Sequence, residues 1–211
     1  MNHCSHCETQ KEFPSELHVS TQTQIGKINA TIELSELAQA LQCNENILYI
    51  EHGDAIRKGS DGKKSARKHK KQKPKKYFYN QVTIHMPREE DKRVNMKIFN
   101  NGRVQMTGVI KSGQGLEKIR GLVQQLNLLS PGDREKIFGH SEVVGHVQET
   151  ETVLINSNFD IGFEIDREAL HRLIIHMGYY SSYEPGIYPG VNIKYYYNSS
   201  KPPERRPGYS R

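Results

Sequence analysis

Residues 94–111, VNMKIFNNGRVQMTGVIK, alternate apolar and polar side chains through two runs joined by Asn-Asn-Gly. That period of two predicts a β-hairpin with one buried face. Val94, Met96 and Ile98 share a face of the first strand, and Val104 and Met106 share one on the second. A two-residue turn would set Ile98 opposite Gln105 and mix the faces. A three-residue loop, Asn100-Asn101-Gly102 with Gly102 left-handed, sets Ile98 opposite Val104 and keeps the apolar set together. The other face then carries Asn95, Lys97, Phe99, Arg103, Gln105 and Thr107. It is polar and basic, with one aromatic ring.

The flanking sequence extends this pattern. Residues 17–34 are rich in Thr, Val and Ile and read as a strand, followed by a short helix at 35–41 with Ser35 as N-cap. Residues 47–51 (ILYIE) form a further strand. In 77–86 (YFYNQVTIHM), Val82, Ile84 and Met86 alternate with Tyr79, Gln81, Thr83 and His85. Leu116, Ile119, Val123 and Leu126 give 115–128 a one-sided helical stripe, which Ser130-Pro131-Gly132 is expected to end. Residues 133–148 read as a linker and 152–165 as a strand. Asp166 caps a helix carrying Leu170, Leu173, Ile174 and Met177. In the aromatic-rich strand within 179–200, alternation turns Val191, Ile193 and Tyr195 inward. Strand, helix, strands, helix is thus followed by strand, helix, strand: an incomplete internal repeat of a sheet with helices on one face.

Charge is unevenly placed. The chain of 211 residues carries a formal +6, yet residues 57–76 hold eleven Lys or Arg against one Asp, leaving about −4 elsewhere. That stretch has no apolar side chain larger than Ala, so it is expected to be a disordered insertion. It reads either as a solubilising segment or nuclear-localisation signal, or as a flexible arm whose Lys63, Lys64, Arg67, Lys68, Lys70, Lys71 and Lys73 neutralise phosphates. These readings are compatible.

Other classes are disfavoured. No apolar run is long enough to span a bilayer, and the first residues lack a signal-peptide core, so an intracellular protein without membrane partners is expected. Cys4-x-x-Cys7 with His3 and His6 has no second ligand pair, so no metal site is assigned. Cys4, Cys7 and Cys43 cannot make a disulfide framework. There is no Gly-rich phosphate loop ending in Lys-Ser/Thr, no paired-carboxylate motif and no GxSxG. The chain reads as a non-enzyme without cofactors.

Four strings carry a resemblance: VST at 19–21, IFNNGRVQMTG at 98–108, DIGFEIDREAL at 160–170 and SSYEPGIYPG at 181–190. In this order they resemble the core domain of TATA-box-binding proteins, particularly the divergent forms of large DNA viruses. The resemblance implies an α+β fold of helix-grip type, a curved antiparallel saddle with helices on the convex face. It implies a first repeat at 17–129 with the basic insertion at about 55–76, a linker at 130–150 and a truncated second repeat at 151–200, while the N-terminus at 1–16 and the Pro- and Arg-rich tail at 201–211 are expected to be disordered on their own composition. It also implies minor-groove binding of A·T-rich promoter DNA, with aromatic wedges between base steps, and recruitment of a factor-B-like partner and RNA polymerase. The setting would be the nucleus or a cytoplasmic viral factory.

Carried over by position, Phe99, Tyr79 and Tyr188 match wedge aromatics. Val19, Thr21 and Thr107 match concave-face positions, where Arg103 also falls. Lys97 and Gln105 stand where the family is usually apolar. The family's paired asparagines align with Leu17 and Leu154, and Asn156 and Asn158 are their candidate substitutes. The alternative is a repurposed module of the same fold, used for non-specific nucleic-acid binding or protein docking.

Overall fold

The computed structural model describes residues 16–61, 77–89, 92–140, 142 and 149–196. In chain order these form β1 (His18–Lys27), α1 (Leu34–Ala40), β2 (Tyr49–His52), β3 (Ile56–Gly59), β4 (Val82–Pro87), β5 (Arg93–Ile98) and β6 (Arg103–Val109). There follow α2 (Gln114–Asn127), α3 (Pro131–Phe138), β7 (Glu151–Asn158), α4 (Arg167–His176), β8 (Tyr180–Ser182) and β9 (Asn192–Lys194). The chain divides into two compact units, residues 16–159 and a second containing residues 160–196 of the described chain.

In the first unit seven antiparallel strands make one sheet, ordered β3-β2-β4-β5-β6-β1-β7. The fold class is α+β. Alternation decides which way each strand faces. Val82, Ile84, Val94, Met96, Ile98, Val104 and Met106 have no solvent exposure and form a single core with α1, α2 and α3. α2 contributes Ile119, Leu122 and Leu126 to it, and α1 contributes Leu37 and Ala38. Gly26 on β1 lets α2 come close, because a Cβ there would lie 2.4 Å from Ile119 Cδ1. The helices pack on one face, and residues of opposite parity form the other, called here the open face.

The central hairpin has the expected register. Ile98 stands opposite Val104, and the Phe99 N–H donates to the Arg103 carbonyl at 2.9 Å. Gly102 has φ 76°. A Cβ on Gly102 would sit 2.1 Å from the Ile28 carbonyl oxygen, so the loop needs glycine for space as well as conformation.

Several boundaries differ from expectation. α1 begins at Leu34 with Glu33 as N-cap, not Ser35. The Glu33 N–H donates to the Ile137 carbonyl of α3, so tertiary contact sets this helix start. Residues 133–138 belong to α3 rather than to a linker. Ser130 caps it, accepting from the Asp133 N–H at 3.1 Å, and Pro131 opens it. A proline after a serine starts a helix as readily as it stops one. Residues 57–59 are not disordered but lie in β3, paired with β2. The Lys58 ammonium donates to the Gln39 and Leu41 carbonyls at 2.6 and 2.7 Å, at the C-terminal end of α1. β7 ends at Asn158 instead of continuing to 165, because Asp160 accepts from the Gly162 N–H in a tight turn.

In the second unit β8 pairs with β9, and Asp166 caps α4 by accepting from the Glu168 and Ala169 N–H groups at 3.0 Å. The inward turn expected of Ile193 and Tyr195 is not seen, since both are exposed. α4 likewise buries none of its residues.

Candidate nucleic-acid interface

Because β4, β5 and β6 alternate, β2 and β1 pair with them and β7 pairs with β1, cross-strand partners line up in transverse rows on the open face. One row runs Tyr49, His85, Asn95, Thr107, Thr23, Leu154. The next runs Glu51, Thr83, Lys97, Gln105, Ile25, Glu151. A third, at the hairpin end, holds Phe99, Arg103 and Lys27. Short neutral side chains dominate the β6–β1 part of the first row, whereas the second has Lys97 and Gln105 at its centre with Glu51 and Glu151 at its ends, and the third carries Arg103 and Lys27. Thr21 continues the open face of β1 and stands opposite Asn156 of β7.

Phe99 lies on this face, part-exposed and outside the core. Among the described residues its ring makes no contact with another ring or a cation, and the side chains of Lys97, Arg103 and Lys27 make no ion pair. Glu149 and Glu151 share a hollow of about 360 Å³ with Lys27 and Arg103, yet stay beyond ion-pair distance of both. The result is a flat aromatic side chain beside three cations outside any ion pair among the described residues, with Glu149 and Glu151 lining the same hollow. Such a surface suits a polyanion with stacked planar groups.

The β2 end of the same face is closed. Tyr49 is only 3% exposed although it faces away from the core. Its hydroxyl donates to Glu51, whose carboxylate also pairs with Arg57 at 3.7 Å. The ring lies 4.9 Å from that of His85, and the Asn95 amide nitrogen is 3.3 Å from His85 Nε2. Arg93 reaches over to donate to the Ser60 carbonyl. Burial, then the Glu51 hydrogen bond, pushes the Tyr49 phenol above its ordinary range. Asn95 therefore belongs to a polar cluster, not to the accessible track.

Not every residue singled out from sequence joins the track. Tyr79 precedes β4, which begins at Val82, so strand alternation does not set its direction. Its ring lies against Gly53, where a Cβ would be 2.7 Å from Tyr79 Cε1. A hydrogen bond with Asp54 holds its phenol above the ordinary range. It shares a hollow of about 340 Å³ with Asn100, the residue after Phe99.

Val19 lies beyond a register shift between Val19 and Thr21, opposite Ser157, so the parity of Thr21 does not extend to it. Asn158 is engaged by Ser20, whose hydroxyl donates to Asn158 Oδ1 at 2.9 Å. Tyr188 belongs to the second unit, 64% exposed and folded against Gly190, with its N–H donating to the Glu184 carbonyl. Arg167 of α4 donates to the Pro189 carbonyl at 2.7 Å and secures that loop. Lys63, Lys64, Arg67, Lys68, Lys70, Lys71 and Lys73 lie outside the described residues, as do Cys4 and Cys7. Sequence reasoning missed Thr23, Ile25 and Lys27, which the alternation of 21–27 would have found.

Among the described residues no helix is long and apolar enough to cross a membrane, and no cluster of three His, Cys, Asp or Glu could hold a metal. No family model matches the chain. A protein of Acanthamoeba polyphaga mimivirus, described as TATA-box-binding protein-like, is 27% identical over 208 residues, covering 88% of this chain. The chain resembles a viral TATA-box-binding protein-like protein. It spans 56% of that relative's length. The TATA-box-binding-like resemblance thus extends well beyond the four strings that first carried it.

Proposed function

We propose that the chain is a TATA-box-binding-like DNA-binding factor, not an enzyme. Its open face would act as the underside of a saddle that binds and bends A·T-rich promoter DNA through the minor groove. A factor-B-like protein and RNA polymerase would then assemble on the complex, in the nucleus or a cytoplasmic viral factory. The observation that carries this reading is the placement of Phe99, off the core and beside Lys97, Arg103 and Lys27, while the helices pack on the opposite face. A minor groove offers little hydrogen-bond information, so recognition there relies on deformability and shape, which a broad sheet with a wedging ring exploits.

The test is a competition between A·T-rich and G·C-rich duplexes, with bending followed by end-to-end energy transfer. The parent should prefer the A·T-rich duplex by at least about tenfold, and Phe99→Ala should abolish most of the bend. Equal affinity for both duplexes would refute promoter recognition. Residues 62–76 contain nine Lys or Arg. Deleting them should weaken binding and flatten its salt dependence, leaving the A·T preference intact.

A second reading, a repurposed module for non-specific nucleic-acid binding or protein docking, is favoured by the polar Lys97–Gln105 pair on the open face. It predicts no base preference and no bend.

A further inference from the structure

Four glutamines show how differently this sheet treats the same side chain. On the helix face, Gln24 is 1% exposed and fully engaged. Its Oε1 accepts from the Gly115 N–H, while its Nε2 donates to Gln22 Oε1 and the Lys111 carbonyl. Gln22 in turn donates to the Ile110 carbonyl at 2.8 Å. On the open face, Gln81 Nε2 lies 3.3 Å from Thr83 Oγ1. Gln105, in the middle of the open face, has no hydrogen-bond partner among the described residues, and neither does the side chain of Lys97 directly opposite. Both are part-buried by their neighbours. Their ends are thus presented outward from a rigid central strand pair, two residues along from the Phe99–Arg103 row.

Resting on the minor-groove reading above, we infer that Gln105 is a base-edge reader that lets this sheet accept a G·C pair beside the Phe99 wedge. The groove floor of A·T and T·A pairs shows only acceptors, whereas G·C adds the guanine N2 amine. An apolar surface pressed onto that amine leaves a donor unpaired and so rejects G·C. The Gln105 amide carries two donors and an acceptor oxygen, so it can serve either pattern by rotating. Lys97 has donors only, and every base pair offers an acceptor, so it adds affinity without choice. The specificity expected of this chain is therefore A·T-rich with one tolerated G·C position.

The experiment scans one G·C pair through an A·T-rich duplex and measures affinity for the full chain, Gln105→Leu and Lys97→Met, each checked for an unchanged melting temperature. For the parent, one position should tolerate G·C with less than about threefold loss. Gln105→Leu should bind the all-A·T duplex more weakly than the parent, by the one acceptor contact it loses, and should lose about tenfold more when G·C occupies that position. Replacing that guanine by inosine, which lacks the N2 amine, should restore the variant. Lys97→Met should weaken every duplex alike and reduce the salt slope by about one. If Gln105→Leu keeps the tolerated position, or inosine fails to restore it, the inference is overturned while A·T preference and Phe99-dependent bending stand. If preference and bending are themselves absent, the minor-groove reading falls, and this inference with it.

Discussion

Along β5, Met96 and Ile98 have no solvent exposure, whereas Lys97 between them and Phe99 beyond them reach the open face. The same backbone hydrogen bonds hold both sets, so strand propensity cannot explain the difference. What separates them is what lies across the sheet within residues 16–159: α1, α2 and α3 on one side, and no described element of that unit packed on the middle of the other. The helix face carries the stability, which frees the open face to hold residues that stability would not select. An unpaired lysine and a glutamine without partners among the described residues are costly in a core and cheap here, and a part-exposed phenylalanine is kept where stability alone would bury it.

The harshest attack is on the loop that serves both faces. Gly102→Ala adds a methyl group within 2.1 Å of one carbonyl oxygen and 2.5 Å of another, at φ 76°. Backbone cannot yield as a side chain does, so a loss of about 3 kcal/mol or more is expected, measured by urea unfolding. Because Phe99 is fixed by this hairpin, DNA bending should fail with it. Retained stability would show that the loop relaxes freely and that the register is not pinned there.

A cleaner separation uses neighbours. Met96→Ala empties a fully buried site in the core and should cost about 3 kcal/mol. Lys97→Met, one residue on, should change stability by no more than about 0.5 kcal/mol. Equal losses would mean that something covers the open face. Gln24→Leu should fall between them, at about 2 kcal/mol, since it leaves the Gly115 N–H unpaired at the start of α2. Phe99→Ala should alter melting little while removing the bend.

The hairpin and the division of its residues between faces were legible in the sequence, because a period of two plus one glycine leaves a single consistent register. The resemblance was legible too, since IFNNGRVQMTG and SSYEPGIYPG constrain turns and not merely composition. Elements decided by distant partners were not. β3 has the local look of a charged loop, and its pairing with β2, together with the α1 carbonyls that accept from Lys58, shows why it is ordered. α3 was hidden because Ser130-Pro131 is ambiguous until Ile137 and Phe138 are seen to be buried. Val19 and Asn158 fell outside simple parity because β1 and β7 shift register beside them. Tyr79 sits before its strand begins, against Gly53 and Asp54, which are distant in sequence.

The finest test compares two parts of the open face itself, the closed corner at Tyr49 and the accessible track at Phe99. Tyr49 is held neutral, first by burial and then by its hydrogen bond to Glu51. A phenol whose pKa is raised in the folded state contributes stability that is complete below its unfolded pKa, near 10. That contribution is lost as pH climbs above this value toward the folded one. At pH 7, Tyr49→Phe should therefore cost only the hydrogen bond, about 1 kcal/mol. At pH 10.5 or above (roughly half a unit past the ordinary phenol value) the deficit should shrink, because the parent now carries a penalty that the variant lacks. Other tyrosines and lysines titrate in that window, but they do so in both proteins and cancel in the difference. A deficit that stays constant with pH would mean that Tyr49 ionises like an exposed phenol. The corner would then be open to solvent, and the accessible track would extend across it to His85 and Asn95.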